Sequence, residues 1–493
     1  MRRWQPVYNP AQEDFLIMLM TNTTNSPYIK KADTHKSSFD FQNNSNKYLE
    51  LADAFLVAHP HVLYWTEAND TKKGLFYRYE GGIYKACSSF EIENMLLHFT
   101  PERKGVIIPR ALSDGKIQEV VRNIKKRRFF YRDMFNQENI INFKNGLLNI
   151  NTNELIDHTM EIISTVQLPY SHDKDAKCPL FMKTINECLE GDLEKIGIFQ
   201  EFIGYCLTKD TKYEKALFLV GEAGTGKSTM LDAVEYILGE ENCSSIRMDM
   251  LADSKFTGNL LDKYVNIDNE IPQNISNYED ALKKIISGQK ITINTKFIPT
   301  YDAKPFCKLI FAANDIPRIN DTSNAVFRRI LLLDFNNVIH RDKVDVNLKY
   351  KLKNECPGIF NWAFEGLERL RRKGRFSTSN DMVERIKQLR LINNSVFYFI
   401  EEEYEITEKS HHYVKIDDLY EHYTSFCHEV GAKGVFKKPI FGKEFKKVYG
   451  KKVDQSRKML EGGQKRVWLG IRKKGDVSMM EDGEISEQIT WDD

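Results

Sequence analysis

The sequence lacks an apolar run long enough to cross a membrane, and its eight cysteines include no Cys-x-x-Cys pair. A membrane-spanning helix needs about 20 consecutive apolar residues, so we expect no membrane segment. Scattered single cysteines argue against a disulfide framework or a zinc ribbon and favour a reducing compartment. The first residues show no apolar stretch typical of a secretory signal. With 493 residues, 41% of them hydrophobic, the chain can form cores for about three domains.

The net charge of only +1 gives no hint of an anionic partner, but this charge is unevenly distributed. Residues 432–474 contain fifteen bases and three acids, a balance of +12, whereas residues 475–493 contain seven acids and no Lys or Arg. The remaining residues, 1–431, carry −4. A basic block beside an acidic tail is typical of a nucleic-acid contact with a solvated appendage. A solvated lysine face is the alternative interpretation.

A phosphate-binding loop is indicated at residues 221–228, which read G-x-x-x-x-G-K-S. The apolar run Ala216–Val220 predicts a buried parallel strand before the loop, and a helical pattern covers Thr229–Leu238 after it. In this context backbone N–H groups and the helix N-terminus face phosphate oxygens, the lysine contacts the β- and γ-phosphates and the serine ligates Mg²⁺. A tight glycine loop without a ligand is the alternative. The candidate nucleotide-binding residues are Gly221, Glu222, Ala223, Gly224, Thr225, Gly226, Lys227, Ser228 and Thr229.

Two carboxylates follow the next predicted strand, Tyr264–Ile267. One of them would hold the Mg²⁺ shell, and the other would orient or activate water. We prefer Glu270 as the catalytic carboxylate, with Asp268 second. Solvated acids are common at strand ends, so this interpretation depends on the phosphate loop upstream. The candidate metal ligands are Ser228, Asp268 and Glu270.

Two more features lie downstream of these acids. Lys308–Ala313 predicts another buried strand, and Asn314 after it can hydrogen-bond the γ-phosphate or the attacking water; a turn-forming Asn is the alternative. Arg328 and Arg329 precede a strand pattern at 330–335. Either one can be an arginine finger that reaches the nucleotide of a neighbouring subunit, and an ordinary salt-bridged surface pair is the alternative.

Together these motifs resemble superfamily 3 helicases, the AAA+-related ring ATPases of viruses, phages and plasmids. The resemblance extends to the poxvirus/phage type of primase-helicase, and it covers roughly residues 70–472. The further segments that carry it are 142–150, 178–181, 202–205 and 282–288.

The resemblance implies a hexameric ring that uses ATP and Mg²⁺, with DNA in its pore and a β-hairpin ahead of the Asn strand that contacts the DNA. In this sequence the hairpin is residues 290–300, with Lys296 and Phe297 as candidate DNA-binding residues. Many relatives carry a long N-terminal primase domain. Only about 50 residues precede the matching part here, too few for such a domain, so we expect no primase activity in this chain. The catalytic candidates are Lys227, Asp268, Glu270, Asn314, Arg328 and Arg329.

The basic block has a pattern of its own. Residues 414–430 and 439–449 predict two helices, and a glycine turn precedes a predicted strand at 466–471. Two helices followed by a hairpin are typical of a winged helix whose second helix enters a DNA groove, and they resemble the C-terminal winged helix of the same family. A winged helix used for protein contacts is the alternative. The candidate DNA-binding residues are Lys443, Lys446, Lys447, Arg457 and Arg466.

The predicted fold is α/β: an AAA+-like P-loop ATPase core with an α+β N-terminal domain and a C-terminal winged helix. The expected divisions are a short N-terminal segment and linker (1–50), the N-terminal α+β domain (51–175), a helical lead-in (176–212), the ATPase core (213–340), a helical region (341–404), the basic winged helix (405–474) and an acidic tail (475–493).

We therefore expect an ATP-dependent DNA helicase that replicates a phage, plasmid or chromosomal island and loads itself at an origin. Its expected partners are single- and double-stranded DNA, further copies of itself, and a separate primase or host replication proteins, in the cytoplasm of a bacterial host. A DNA-binding regulator whose ATPase is a switch, and an RNA-directed ATPase, are the alternatives. Unwinding of forked DNA separates a motor from a switch.

Overall fold

The computed structural model describes the greater part of the chain. Within that part no helix has the length and apolar character needed to cross a membrane. All eight cysteines lie in it as buried free thiols. Residues 1–46 of the predicted N-terminal segment, Glu270, Lys296, Phe297 and the acidic tail after residue 475 lie outside the described residues. The described residues are 47–65, 74–99, 113–130, 135–136, 139–269, 271, 278–294, 300–315, 325–340, 345–432, 435–461 and 463–475.

Among the described residues, the N-terminal part consists of three helices and a sheet of order β3-β2-β1-β4. Strands β2 and β3 form a hairpin, and Gly81 and Gly82 at its turn both have positive φ. Strand β1 pairs antiparallel with β2 and parallel with β4. The elements are α1 (Lys47–Ala58), β1 (Val62–Trp65), β2 (Leu75–Glu80), β3 (Ile83–Cys87), α2 (Ser89–His98), α3 (Asp114–Arg127) and β4 (Phe129–Phe130).

A three-stranded antiparallel meander and two helices lead into the central sheet. The helical lead-in predicted at 176–212 contains two helices, the second of which begins where the Asp192 side chain accepts hydrogen bonds from the backbone N–H groups of Glu194 and Lys195. The elements are β5 (Ile140–Phe143), β6 (Gly146–Asn149), β7 (Glu154–Ile156), α4 (Pro179–Cys188) and α5 (Leu193–Cys206).

Five parallel strands form the central sheet in the order β14-β8-β13-β10-β9. The apolar runs predicted as buried strands are confirmed as β8, β10, β13 and β14, and all five residues of β8 are buried. The elements are β8 (Ala216–Val220), α6 (Lys227–Leu238), β9 (Cys243–Ser244), α7 (Ser254–Thr257), β10 (Val265–Asp268), α8 (Glu279–Ile286), β11 (Ile291–Ile293), β12 (Tyr301–Ala303), β13 (Lys308–Ala313) and β14 (Ile330–Asp334).

The connections of this sheet reverse direction between β8 and β13. From β8 the chain runs to β9 at one edge of the sheet, whereas from β13 it passes to β14 on the other side of β8. Neighbouring strands whose connections leave in opposite directions open a crevice at their carboxyl ends, and open α/β sheets bind ligands there. The ends of β8 and β13 therefore define the place where a ligand is expected.

The hairpin predicted at 290–300 is present but longer than predicted. Ile291 pairs with Ala303, so the second strand lies beyond residue 300. Only four residues separate Ala303, the last residue of the hairpin, from Lys308, the first residue of β13, so the hairpin adjoins the amino end of that strand. The Thr257 hydroxyl donates to the Thr292 carbonyl at 2.8 Å and ties the hairpin to α7.

The C-terminal part has two helices close to the predicted ones and two corrections. Val414 does not begin a helix: it pairs with Trp468 in a strand, and Lys415 in extended conformation precedes the helix. The strand predicted at 466–471 is broken at Gly470, where φ is +82°, into β18 and β19. The elements are α9 (Leu348–Lys353), α10 (Cys356–Lys373), α11 (Asn380–Glu403), β15 (Tyr404–Ile406), β16 (Tyr413–Lys415), α12 (Ile416–Glu429), α13 (Lys438–Tyr449), β17 (Asp454–Leu460), β18 (Gly463–Leu469) and β19 (Ile471–Lys473).

The buried apolar residues fall into separate cores. The large core takes side chains from Leu63 through Leu389 and surrounds the central sheet. A second core starts at Leu391 and ends at Ile471, so the basic block packs with the end of α11 and with α12 in a core separate from the large one. A third, smaller core lies among α1, α2, α3 and the N-terminal sheet.

Candidate nucleotide-binding site

The glycine-rich loop joins β8 to α6 at the ligand crevice. Gly221, Gly224 and Gly226 all have φ between +84° and +157°, which residues with a Cβ rarely adopt. Helix α6 begins at Lys227, two residues before the predicted start, directly after the left-handed Gly226. The sequence G-x-x-x-x-G-K-S therefore forms a strand–loop–helix turn with a helix N-terminus at its centre.

Two of these glycines also allow close packing. A Cβ on Gly221 would lie 2.1 Å from the carbonyl oxygen of Phe335, and a Cβ on Gly226 would lie 2.3 Å from the Cys188 sulfur. The segment after β14 closes the loop on the same side, where the backbone N–H of Ile339 donates to the Gly224 carbonyl at 3.0 Å. The loop is thus held in shape by its protein neighbours.

Lys227 folds back over the loop. Its Nζ donates to the carbonyl oxygens of Gly221 at 2.5 Å and Glu222 at 2.8 Å, and the residue is 9% exposed. Burial lowers the pKa of this ammonium group, because water no longer solvates its charge. The backbone carbonyls compensate the positive charge of Lys227 only in part. An anion bound at the loop would supply the missing counter-charge. Ser228, by contrast, is exposed at the start of the helix.

The register of the sheet brings two further predicted residues to this edge. Ala313 pairs with Val220, so Asn314 lies level with Gly221 and is exposed there. Asp268 is the last residue of β10, one strand farther out, and it is buried. One of its carboxylate oxygens accepts a hydrogen bond from the backbone N–H of Met248 at 2.7 Å, which fixes the orientation of the side chain.

Arg328 and Arg329 lie at the opposite end of the sheet, where the parallel strands begin, and they differ from each other. Arg329 is 8% exposed and donates to Glu214 at 2.7 Å, to the Ala325 carbonyl at 2.7 Å and to the Ser287 hydroxyl at 2.9 Å. Arg328 is exposed. The two residues therefore have different roles. Arg329 stabilises the turn before β14 through its hydrogen bonds, whereas Arg328 faces solvent.

The distance between Arg328 and the loop follows from the strand pairing. Ile330 pairs with Ala216, the first residue of β8, whereas the loop begins after Val220, the last. With a rise of about 3.3 Å per residue, Arg328 lies about 20 Å along the strand direction from Gly221, beyond the reach of its side chain. Arg328 cannot contact a nucleotide bound to the loop of its own subunit.

A group of cations surrounds Arg328 at the amino edge. The Lys215 ammonium donates to the Arg328 carbonyl. Burial lowers the pKa of Lys215, and the charges of Arg329 and Arg328 lower it further. Glu214 compensates Arg329 through their ion pair. This edge is therefore positively charged and favourable to an anion from another molecule.

The DNA-binding candidates of the basic block lie on an exposed surface of the second core. Helix α13 packs Phe441, Phe445 and Tyr449 inward, which leaves its lysines outside. On the hairpin of β17 and β18, Arg457 lies directly opposite Arg466 and Lys458 directly opposite Lys465. The exposed candidates are Lys443, Lys446, Lys447, Arg457 and Arg466.

The structure thus brings the loop, Asp268 and Asn314 to one edge of the sheet and separates the arginine pair from them. Sequence reasoning missed the residues that hold the loop, among them Cys188 and Ile339. Only the apolar Val338-Ile339 pair after the end of a strand could have indicated a packed segment there. Among the described residues no group of His, Cys, Asp and Glu has the arrangement of a metal site made by protein ligands alone.

Three regions of the chain match known protein families. Residues 64–190 match the family described as D5 N terminal like, and residues 392–478 match the family described as Poxvirus D5 protein-like. Residues 219–329, which include the loop and both arginines, match a family of unknown function, DUF5906. The two D5 matches lie on either side of the central sheet in sequence.

Individual proteins match over shorter stretches. The DNA primase-polymerase of Nitratiruptor phage NrS-1 is 28% identical over 153 residues, which cover 30% of this chain and 21% of that protein. The putative helicase V13 of Sputnik virophage is 21% identical over 310 residues, covering 56% of this chain and 38% of that protein. The chain thus spans less than two fifths of the length of either relative. The matches support a D5-type primase-helicase relationship. The predicted resemblance to poxvirus and phage primase-helicases is confirmed as a relationship of D5 type, and the assignment to superfamily 3 stays a prediction.

Solved structures are similar over more of the chain but less closely. The A form of the apo C-terminal region of NrS-1 has a TM-score of 0.48 at 14% identity and covers 85% of this chain and 98% of that one. Another apo structure of the same region has a TM-score of 0.47 at 13% identity, with 86% and 99% covered.

The contrast between the two arginines gives a first prediction. We expect Arg329→Gln to lower the free energy of unfolding of the part around the central sheet by about 2–3 kcal/mol, because it removes charge-assisted hydrogen bonds of a buried guanidinium. The matched change Arg328→Gln should alter it by less than about 0.5 kcal/mol. Urea unfolding followed by circular dichroism measures both. Equal destabilisation by the two changes would contradict the assigned roles.

Proposed function

We propose that this chain is the ATP-driven motor of a DNA helicase of superfamily 3 type, with the phosphate loop as its nucleotide site. The main observation behind this proposal is that the loop and Arg328 lie at opposite ends of the strands of one parallel sheet. The residues present fit a magnesium nucleotide: backbone N–H groups and the α6 N-terminus face the phosphates, and Lys227 is a buried cation without an acidic partner among the described residues. Ser228 and Asp268 would hold Mg²⁺, which neutralises charge on the phosphates when bound.

The roles of the remaining residues follow from their positions. Lys227 would leave the carbonyls of Gly221 and Glu222 for the phosphate oxygens, which are stronger acceptors because they are charged. Asn314, level with Gly221, would hydrogen-bond the terminal phosphate or the attacking water. Glu270 stays the preferred carboxylate for activating that water, as the sequence predicts.

Catalysis on this proposal requires a second copy of the chain. An arginine at the transferred phosphate stabilises charge in the transition state. Arg328 is too distant from its own loop, and Arg329 is held by Glu214 and Ser287, so Arg328 of a neighbouring subunit would complete the site. Head-to-tail contacts of this kind generate closed rings when the rotation closes, and we propose a hexamer.

The basic block would bind the DNA. Like charges directly opposite each other on a hairpin are destabilising, so the pairs Arg457–Arg466 and Lys458–Lys465 favour a polyanion as ligand. Two helices lie in sequence between the first strand of a three-stranded sheet, β16, and its hairpin, β17 and β18, which supports a winged helix in which α13 faces a groove of duplex DNA. Lys296 and Phe297 of the β11–β12 hairpin are proposed to contact DNA in the pore.

The names of the relatives agree with this proposal. One is a putative helicase and the other a DNA primase-polymerase, which suggests an enzyme of DNA replication. On this proposal the protein replicates a phage, plasmid or chromosomal island and binds duplex DNA at an origin before it unwinds. The alternative, a DNA-binding regulator switched by ATP, shares the nucleotide site and the basic block but not the unwinding.

Unwinding of a forked DNA with ATP and Mg²⁺ tests the motor. The wild-type protein should separate the strands, and Lys227→Ala should lose ATP hydrolysis and unwinding by at least about 100-fold, because a preorganised cation at the phosphates is removed. The exposed Lys212, which pairs with Asp210, provides the control variant Lys212→Ala. Unwinding retained by Lys227→Ala would remove the mechanism. ATP hydrolysis without unwinding by the wild type would favour the switch.

Duplex-DNA affinity at several salt concentrations tests the hairpin. We expect Arg457→Gln/Arg466→Gln to weaken binding and to reduce the slope of log K against log salt by about 1.8, because two phosphate contacts are lost. The control Arg372→Gln/Arg375→Gln removes the same charge from exposed positions outside the basic block. If the slope is the same in the first variant as in the control, the hairpin does not bind DNA phosphates.

A further inference from the structure

Helix α11 belongs to two cores at once. Leu389 packs in the large core around the central sheet, and Leu391 packs in the second core of the basic block. Asn394 interrupts the helix with φ −158° and ψ 88°, and its side chain accepts a hydrogen bond from the backbone N–H of Phe397 at 3.0 Å. The helix thus restarts after a defined kink. The part of the helix after the kink packs in the second core, so α11 joins the two cores.

Arg385 projects from the first half of α11 to the ligand crevice. Its Nε lies 3.9 Å from a carboxylate oxygen of Asp334, the last residue of β14. Its Nη2 lies 3.9 Å from a carboxylate oxygen of Asp315, the second residue after β13. Strand β8 runs between these two strands, which are therefore about 10 Å apart. A guanidinium that contacts both acids lies across the end of β8, where the phosphate loop begins.

The contacts of Arg385 with these acids are weak enough to be exchanged. At 3.9 Å they exceed the distance of a charge-assisted hydrogen bond, and the Arg385 side chain is 43% exposed. Burial raises the pKa of the Asp334 carboxyl, although Arg385 and Lys195 pull it in the opposite direction. Asp334 would keep Lys195 nearby if Arg385 left, and Asp315 is exposed to water.

We propose that Arg385 is a phosphate-binding residue of the nucleotide site. When a nucleoside triphosphate binds, Arg385 moves away from Asp334 and Asp315 and binds the terminal phosphate. This inference rests on the proposed function of the loop. A guanidinium binds a phosphate through two parallel hydrogen bonds, a stronger contact than two loose ion pairs. Because α11 also packs in the second core, the same contact would link the nucleotide site to the core that contains the basic block.

Nucleotide binding to the full-length protein tests the role of Arg385. Dissociation constants are measured for a non-hydrolysable ATP analogue and for ADP, both with Mg²⁺, by calorimetry. Arg385→Gln should weaken binding of the triphosphate about 10- to 100-fold, and ADP binding about twofold or less, because only the triphosphate offers the terminal group. Arg385→Lys, which keeps the charge without the fork, should regain part of the triphosphate affinity.

The matched control is Lys387→Gln, on the same helix with the same change of charge, where Lys387 lies 4.0 Å from Glu384. It should bind both nucleotides like the wild type. Unchanged triphosphate affinity of Arg385→Gln, or equal losses for triphosphate and ADP, would overturn the inference and leave the loop's function intact. If the wild type bound neither nucleotide, the proposed function itself would fail, and the inference with it.

Discussion

The parallel pairing of β8 with β14 is the constraint on which the rest of the molecule depends. Parallel strands have all their carboxyl ends at one edge, so the loop after Val220 lies at that edge and the turn before Ile330 lies at the other. The glycine-rich loop and Arg328 are therefore kept apart within one chain by about the length of a strand. No rotamer change removes this separation. If Arg328 acts in catalysis, it must act on the nucleotide of another subunit.

Much of the central sheet could be predicted from the sequence, for a physical reason. Strands buried on both faces have continuous apolar runs, so Ala216–Val220 is identifiable from its letters alone, and the glycine motif fixes the turn that follows. The same argument identifies the strands that lead to Asp268 and Asn314. Because the carboxyl ends of parallel strands meet at one end of a sheet, the sequence could place these two residues at the same end, which the strand pairing bears out.

The difference between Arg328 and Arg329 could not be predicted in this way. Both residues have the same side chain and adjacent positions, and only the packing of Ser287 and Glu214 distinguishes the buried one from the exposed one. Arg385 lies on a helix whose charges look like an ordinary solvated face, and its position over β8 depends on how α11 packs against β14. Such contacts between distant segments leave no periodic pattern in the sequence. The start of α12 was mispredicted for a related reason, since the pairing of Val414 with Trp468 overrides its helical pattern.

Mixing two inactive variants tests most directly whether a complete site is shared between two subunits. Lys227→Ala lacks the loop cation and Arg328→Ala lacks the arginine, so each protein alone should have little ATPase activity. In mixed assemblies some interfaces combine an intact loop with an intact Arg328, and a part of the wild-type ATPase rate should return, with a maximum near equal amounts. No activity at any ratio, although the two variants co-assemble in native mass spectrometry, would contradict the shared site.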